Sequence, residues 1–251
     1  MFVVLSRIFI LSFGLSIAAP AVAADALPSP ESLAISNALP ERLEAALVLL
    51  DAQRADVPRF AFERQTYKKG AKTEIKQFDP SRAQAERWSV SFPSIDDNPK
   101  KHAKLTKKYA GWDGNSDKAL MIPDLRKRMA GGARFLREAE NAEIFEFDIA
   151  DDYFLEGGGR KAEISKHIKG EIAIDIYSKT IRWIRYYAPE HFRPISIVKL
   201  KFYEIIQYVA PAWAGGPLVR VYETSKVQGS APFTRINVDE IMVNDNIVPA
   251  G

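Results

Sequence analysis

Apolar residues recur along this chain with two periods, a helical one early and in the middle and a period of two elsewhere. Leu43, Leu47 and Leu50 stand at i, i+4 and i+7, with Glu41, Arg42, Glu44 and Asp51 on other sides, which predicts a core-facing helix after Pro40. A helical pattern also precedes Pro40. Phe60, Phe62 and Thr66 then alternate with Arg59, Glu63 and Gln65, and Trp88, Val90 and Phe92 alternate with Arg87, Ser89 and Ser91. Successive side chains of a strand point to opposite faces, so each run predicts a strand with one buried face. Lys69-Gly70 and Asp79-Pro80-Ser81 supply turns.

Pro99 opens a different stretch. His102, Leu105, Tyr109 and Trp112 follow at helical spacings while Lys100, Lys104, Lys107 and Lys108 line the opposite side, which predicts a basic amphipathic helix. Ile122, Leu125 and Met129 predict a second helix that starts near Pro123 and stops at Gly131-Gly132, and Phe135 and Leu136 read as a further short helix. From Ala142 the period of two returns. Phe145, Phe147 and Ile149 form one such run, Ile172, Ile174 and Ile176 another, and Ile181 to Tyr187 a third. Val198, Leu200, Phe202, Ile206 and Tyr208 read as one face of a longer strand, followed by Val219, Val221 and Val227 and a last strand near 233–243. The links are short: a flexible Gly157-Gly158-Gly159 loop, Tyr177-Ser178-Lys179, Pro189 to Pro194, and Pro211 to Pro217. Parallel pairing would need crossovers of about a dozen residues, so the sheet is predicted to be antiparallel and the class α+β, with helices on one side.

The first residues are patterned for another purpose. Arg7 precedes an apolar run from Ile8 to Ala19 that is too short to span a bilayer, and Ala21-Val22-Ala23 places small residues at a cleavage point. This predicts a secretory signal peptide over 1–23 and a single exported domain over 24–251, located in the periplasm. An uncleaved anchor is the alternative, which the small-residue exit and the following Pro28 and Pro30 disfavour. With no Cys in the sequence, neither a lipid anchor on the first mature residue nor a disulfide can form, so a soluble fold is expected to be held by its apolar core.

The order of elements carries a resemblance. A signal peptide, an N-terminal helix, strands interrupted by a helical basic insertion near 97–137, and a C-terminal meander follow one another in that order. The meander is built as Gly170-Glu171-Ile172-Ala173-Ile174-Asp175, a turn, Ile181 to Tyr187, and a loop bearing Pro189 and Pro194. This order resembles the periplasmic lipoprotein-carrier (LolA-like) superfamily. The resemblance implies a strongly curved antiparallel sheet, an incomplete β-barrel plugged by helices, whose apolar concave face holds acyl chains. It covers fold and ligand class alone. No catalytic or binding motif matches residue by residue, and the Lys-rich helix and glycine loop do not map onto it.

Composition sharpens the picture in two places. Aromatic residues are 11 % of the chain, a share that favours sheet over helical bundle. The formal charge of +3 is too small to argue for a nucleic-acid partner, yet Asp97 to Arg137 holds eleven Lys or Arg against four acids.

The candidate chemistry is therefore that of binding. Phe60, Phe62, Trp88, Phe145, Phe147, Trp183, Phe202 and Tyr208 are the expected apolar lining for a lipid or lipoprotein acyl chain, which gains about 0.8 kcal/mol per buried methylene. Alternation marks burial without saying what is buried against it, so ordinary core packing stays open for each of them. Lys100, Lys104, Lys107 and Lys108 are the expected contacts with an anionic membrane surface, at about 1 kcal/mol each, with a merely solvated helix face as the alternative.

Catalytic constellations are weak. His102, His167 and His191 have no zinc-pair spacing, no Gly-x-Ser-x-Gly elbow occurs, and the glycine triplet lacks the Lys-Ser or Lys-Thr of a phosphate loop. Asp113-Gly114-Asn115-Ser116-Asp117 with Asp124 resembles a calcium loop but places Lys118 where the turn wants Gly. Asp96-Asp97 and Asp151-Asp152 are neighbours that a strand would point apart. No catalytic residue, metal or cofactor is expected, and the chain reads as a non-enzymatic binding protein for an apolar ligand. Two alternatives stay open: a hydrolase of an envelope polymer, in which His191 would meet an acid, and a structural or protein-interaction module whose sheet face is filled by its own side chains.

Overall fold

The computed structural model describes residues 39–250 apart from 56–58, 111, 113–119, 130, 151–152 and 158–159. The predicted signal peptide, the pattern before Pro40, the Asp113 to Lys118 run and the Asp151-Asp152 pair lie outside these residues. Helix α1 (Glu41–Ala55) leads into strands β1 (Phe60–Lys68), β2 (Ala71–Phe78) and β3 (Trp88–Phe92), then helices α2 (Pro99–Ala110) and α3 (Leu125–Arg128). Strands β4 (Ala133–Ala139), β5 (Ala142–Asp148), β6 (Phe154–Gly157), β7 (Arg160–Glu163), β8 (Lys169–Asp175) and β9 (Ile181–Tyr187) follow. The chain ends in β10 (Phe192–Ile195), β11 (Val198–Pro211), β12 (Leu218–Ala231) and β13 (Thr234–Pro249). Among the described residues 53 % are in strands and 19 % in helices, and no helix is long and apolar enough to cross a membrane.

One antiparallel sheet of eleven strands organises the domain, in the order β3-β2-β1-β13-β12-β11-β9-β8-β5-β4, with β10 paired to β11; β6 and β7 form a separate hairpin. The sheet is open, with β3 and β4 at its edges. Tight turns set its registers. At Lys69-Gly70 and at Glu140-Asn141 both turn residues have positive φ, the geometry of two-residue hairpins whose twist matches that of the strands.

Four expectations are corrected. Phe135 and Leu136 are not helical: past Gly131-Gly132 the chain pairs with β5, Phe135 opposite Phe145, so the helical insertion ends before Ala133. The Pro189 to Pro194 segment enters β10 at Phe192, and the last strand runs on to Pro249. In β11 the expected face holds only to Leu200. Leu200 pairs with Gly229 and Phe202 with Gln228, so Lys201 is an extra residue that turns the following side chains over. Beyond this bulge Tyr203 and Val209 are buried, while Phe202 and Tyr208 are each 41 % exposed.

Register lets one face be followed across the sheet. Phe145 opposes Ile172, Ile172 opposes Ile184, Ile184 opposes Gln207, and the row continues through Glu223, Met242 and Thr66 to Glu74. The helices lie on this face. Leu43, Ala46, Leu47 and Leu50 of α1 and Leu125 of α3 pack in one cluster with Phe145, Phe147, Ile172 and Ile184, while Tyr109 of α2 packs in a second with Phe60, Phe62, Phe78 and Trp88. Arg126 clasps α1 to α3, donating two bonds of 2.8 Å to Glu44 and one of 2.7 Å to Asp51. These groups are partly exposed, so apolar burial carries most of the docking.

Gly170 shows how closely this face is packed. A Cβ placed there would stand 2.1 Å from the Phe147 ring, which lies directly over the glycine. Gly170→Ala is expected to lower unfolding free energy by about 1–3 kcal/mol through overpacking, and Leu47→Ala by about 2–5 kcal/mol through the cavity it leaves. Urea unfolding followed by circular dichroism measures both; wild-type midpoints would contradict the packing.

Candidate functional site

Between the two apolar clusters the covered face turns polar. Alternation in β1 points Phe60, Phe62, Arg64 and Thr66 the same way, and Arg64 pairs in register with Lys76 on β2 and Asn244 on β13. All three are at least nine-tenths buried, as is Glu223 on β12. Burial of this many ionic groups requires partners. Arg64 Nε donates to Asn244 Oδ1 at 2.8 Å, and Asn244 Nδ2 to the Arg220 carbonyl at 2.8 Å. Glu223 Oε2 accepts from Arg220 Nη1 at 2.6 Å and from Gln207 Nε2 at 2.8 Å.

Lys76 holds the second half of the strip. Its Nζ lies 2.9 Å from Glu74 Oε1 and donates to the Tyr109 hydroxyl at 2.9 Å, which in turn donates to Glu74 at 2.7 Å. The same ammonium stands 5.1 Å from the Trp88 ring centroid, 4.0 Å from that of Tyr109 and 5.4 Å from that of Trp112. A cation among three aromatic faces and one carboxylate pins α2 to β2. Burial lowers the Lys76 pKa, against the pull of Glu74. Glu74 is pushed up by burial, but the bonds from Tyr109 and Lys76 outweigh this and hold it below its usual value.

Among the described residues, two side chains on this face, Arg64 and Tyr186, each bury a polar atom without a hydrogen-bond partner. One is Nη2 of Arg64, whose pKa burial lowers to about 10, with Arg220 acting in the same direction. The other is the Tyr186 hydroxyl, in the α1 cluster, whose ring lies under the Arg128 guanidinium beside Tyr153. An unmade hydrogen bond on a buried group costs about 1–3 kcal/mol, more when it is charged.

The eight aromatic residues predicted as one lining fall into three places. Phe60, Phe62 and Trp88 share the α2 cluster, Phe145 and Phe147 the α1 cluster, and both sets face the helices. Trp183 packs on the opposite face with Ala142, Ile144 and Ala173. Phe202 and Tyr208 lie there too, turned over by the bulge, with Tyr208 edge-on to Tyr222. In the α2 cluster the rings pack on one another: Phe78 is 5.5 Å from Phe62 and 5.0 Å from Trp88, and Tyr109 and Trp112 close the set.

The predicted surface lysines Lys100, Lys104, Lys107 and Lys108 are all exposed on α2, and Lys108 also bonds the Tyr109 hydroxyl at 3.1 Å. His191 is exposed, and among the described residues no hydrogen bond or ion pair joins it to an acid. His102 Nδ1 lies 3.0 Å from the Pro93 carbonyl oxygen, His167 stacks on Phe192, Asp124 caps α3, and Asp97 closes a turn with Ser94. No group of three or more potential metal ligands occurs among the described residues. On the opposite face of β1 to β3 a groove of about 220 Å³ is lined by polar groups including Glu63, Gln77 and Arg82.

The strip of Arg64, Lys76, Glu74, Glu223 and Asn244 is absent from the sequence-based candidates. Its signal was there in part: Arg64 stands in phase between Phe62 and Thr66, and Lys76 in phase with Phe78, charges on a face that alternation marks as buried. No protein-family model matches the chain, and neither a curated protein nor a solved structure matches it.

Acid should loosen α2 through Glu74. A carboxylate held below its usual 4.5 adds stability that is complete above that value and lost as pH falls through its lower folded value. The melting temperature should therefore fall from about pH 5 to about pH 3, and Glu74→Gln, less stable at neutral pH, should fall less. Parallel slopes in thermal melts of the two proteins would show that Glu74 does not carry the effect.

Proposed function

We propose that this chain is exported to the periplasm and there binds an amphipathic lipid or lipoprotein acyl chain, without catalysing a reaction. The observation that carries the reading is the pairing, on one helix-covered face, of apolar clusters with a buried guanidinium that has a nitrogen to spare. An acyl chain gains about 0.8 kcal/mol for each methylene placed among such rings, and an anionic head would satisfy Arg64 Nη2. The resemblance in element order to lipoprotein carriers supports the same ligand class and a strongly curved, incomplete barrel. Because α2 seals the ring cluster, the ligand enters by displacing helix side chains, with the Lys76 contacts as the latch.

The aromatic rings pack closely on one another, and that favours a second reading, a protein-interaction module with no ligand. Lipid extraction and native mass spectrometry of the protein purified from its own envelope separate the two. The first reading expects a co-purifying species with an acyl chain and an acidic head, and its occupancy should drop about tenfold in Arg64→Met, the equivalent of losing one charge-assisted bond. Folded protein free of lipid would leave the second.

A further inference from the structure

We infer that one end of the sheet, formed by the tips of the β10–β11 and β12–β13 hairpins, is the surface that docks on an anionic lipid bilayer. This deepens the reading above by naming where the protein would meet its membrane. Lys69 donates its amide to the Asp239 carbonyl, so the β1–β2 turn ends level with Asp239, whereas β12 and β13 continue to Ala231 and Thr234. At about 3.3 Å per residue the β12–β13 hairpin projects roughly 16 Å past that turn. Lys199 pairs with Ser230, which brings the Ser196-Ile197 turn of the neighbouring hairpin level with Pro232-Phe233.

The residues at these tips are not those of ordinary turns. Phe233 is fully exposed and has a φ of 63°, a conformation that favours glycine, so neither packing nor backbone preference accounts for an aromatic ring there. Ile197 is half exposed beside it, and Phe202 is 41 % exposed behind the tips. Arg193, Lys199, Lys201 and Arg235 surround them, and neither 192–201 nor 228–237 contains an acid. Lys69 and Lys72 stand back from the tips at the β1–β2 turn, where Asp239 and the Lys68–Glu240 ion pair bring both signs. Apolar side chains at a projecting tip, ringed by long cations, fit the headgroup layer: the rings enter the acyl boundary while the ammonium and guanidinium groups meet phosphates. The opposite end of the strands carries both signs, with Glu138, Glu140 and Asp175 near Lys179 and Arg182.

Co-sedimentation with vesicles of phosphatidylglycerol and phosphatidylethanolamine tests the assignment. The double variant Ile197→Ser with Phe233→Ser, and the triple variant of Lys199, Lys201 and Arg235 to Gln, are each expected to bind at least about tenfold more weakly at unchanged melting temperature. Lys104→Gln with Lys107→Gln on α2 is expected to stay within about twofold. Phe233→Trp should show a blue-shifted emission increment on adding these vesicles and none with phosphatidylcholine alone. Wild-type binding by the tip variants, an unshifted Phe233→Trp signal, or loss confined to the α2 variant would overturn the inference. A protein that docks through its tips yet extracts no lipid would overturn only the ligand reading, so the two fail separately.

Discussion

Everything in this domain answers to one constraint: a broad open sheet has one face that must be kept from water, and among the described residues three α-helices pack on it. Eleven strands present more inward positions than α1, α2 and α3 can pack against. The result is two apolar clusters rather than one. Between the two clusters, on β11, β12, β13, β1 and β2, inward positions are taken by Gln207, Glu223, Asn244, Arg64 and Lys76. The polar strip is thus what an under-covered sheet needs in its middle, and its charges remain tolerable because nearly every one is hydrogen-bonded.

The two helix attachments differ in kind. α1 is held by leucines that interlock with Phe145, Phe147 and Ile172, and its ion pairs with Arg126 are partly solvated additions. α2 is held through Tyr109 and the caged Lys76, so its seat depends on a charge that burial opposes and on one carboxylate that must stay ionised. A contact of the first kind is insensitive to pH and salt, and one of the second kind is tunable. The lipid-binding reading draws on that difference, since it assigns the gate to α2 and the fixed floor to α1.

Much of the fold could be read from spacing alone. Leu43, Leu47 and Leu50 marked α1, and the alternation of Phe60 and Phe62 or of Phe145 and Phe147 marked inward faces that the structure shares among the helices. Strand and helix competed at Phe135 and Leu136, where local pattern lost to pairing with β5. Face assignment failed at Phe202 and Tyr208 because a bulge is set by the partner strand's register, which no single segment encodes. The candidate site was only half visible. Its aromatic members follow from periodicity, but the meeting of Glu74 and Lys76 on β2 with Tyr109 on α2 joins segments far apart in the chain, and Arg64 is a charge at a position whose phase alone marks it as inward.

The two free edges of the sheet have a consequence of their own. An open sheet invites a neighbouring molecule to add a strand, the route to fibrous aggregates. Here β3 is five residues long and stops at Pro93, which has no amide hydrogen to offer, and β4 presents Arg134, Arg137 and Glu138 to solvent around the exposed Phe135 and Leu136. The β3 edge is a poor template, and at β4 it is the flanking charges that oppose pairing. The sheet is left unclosed, with one face covered by helices, and a proline and a set of charges stand where a further strand would have to add.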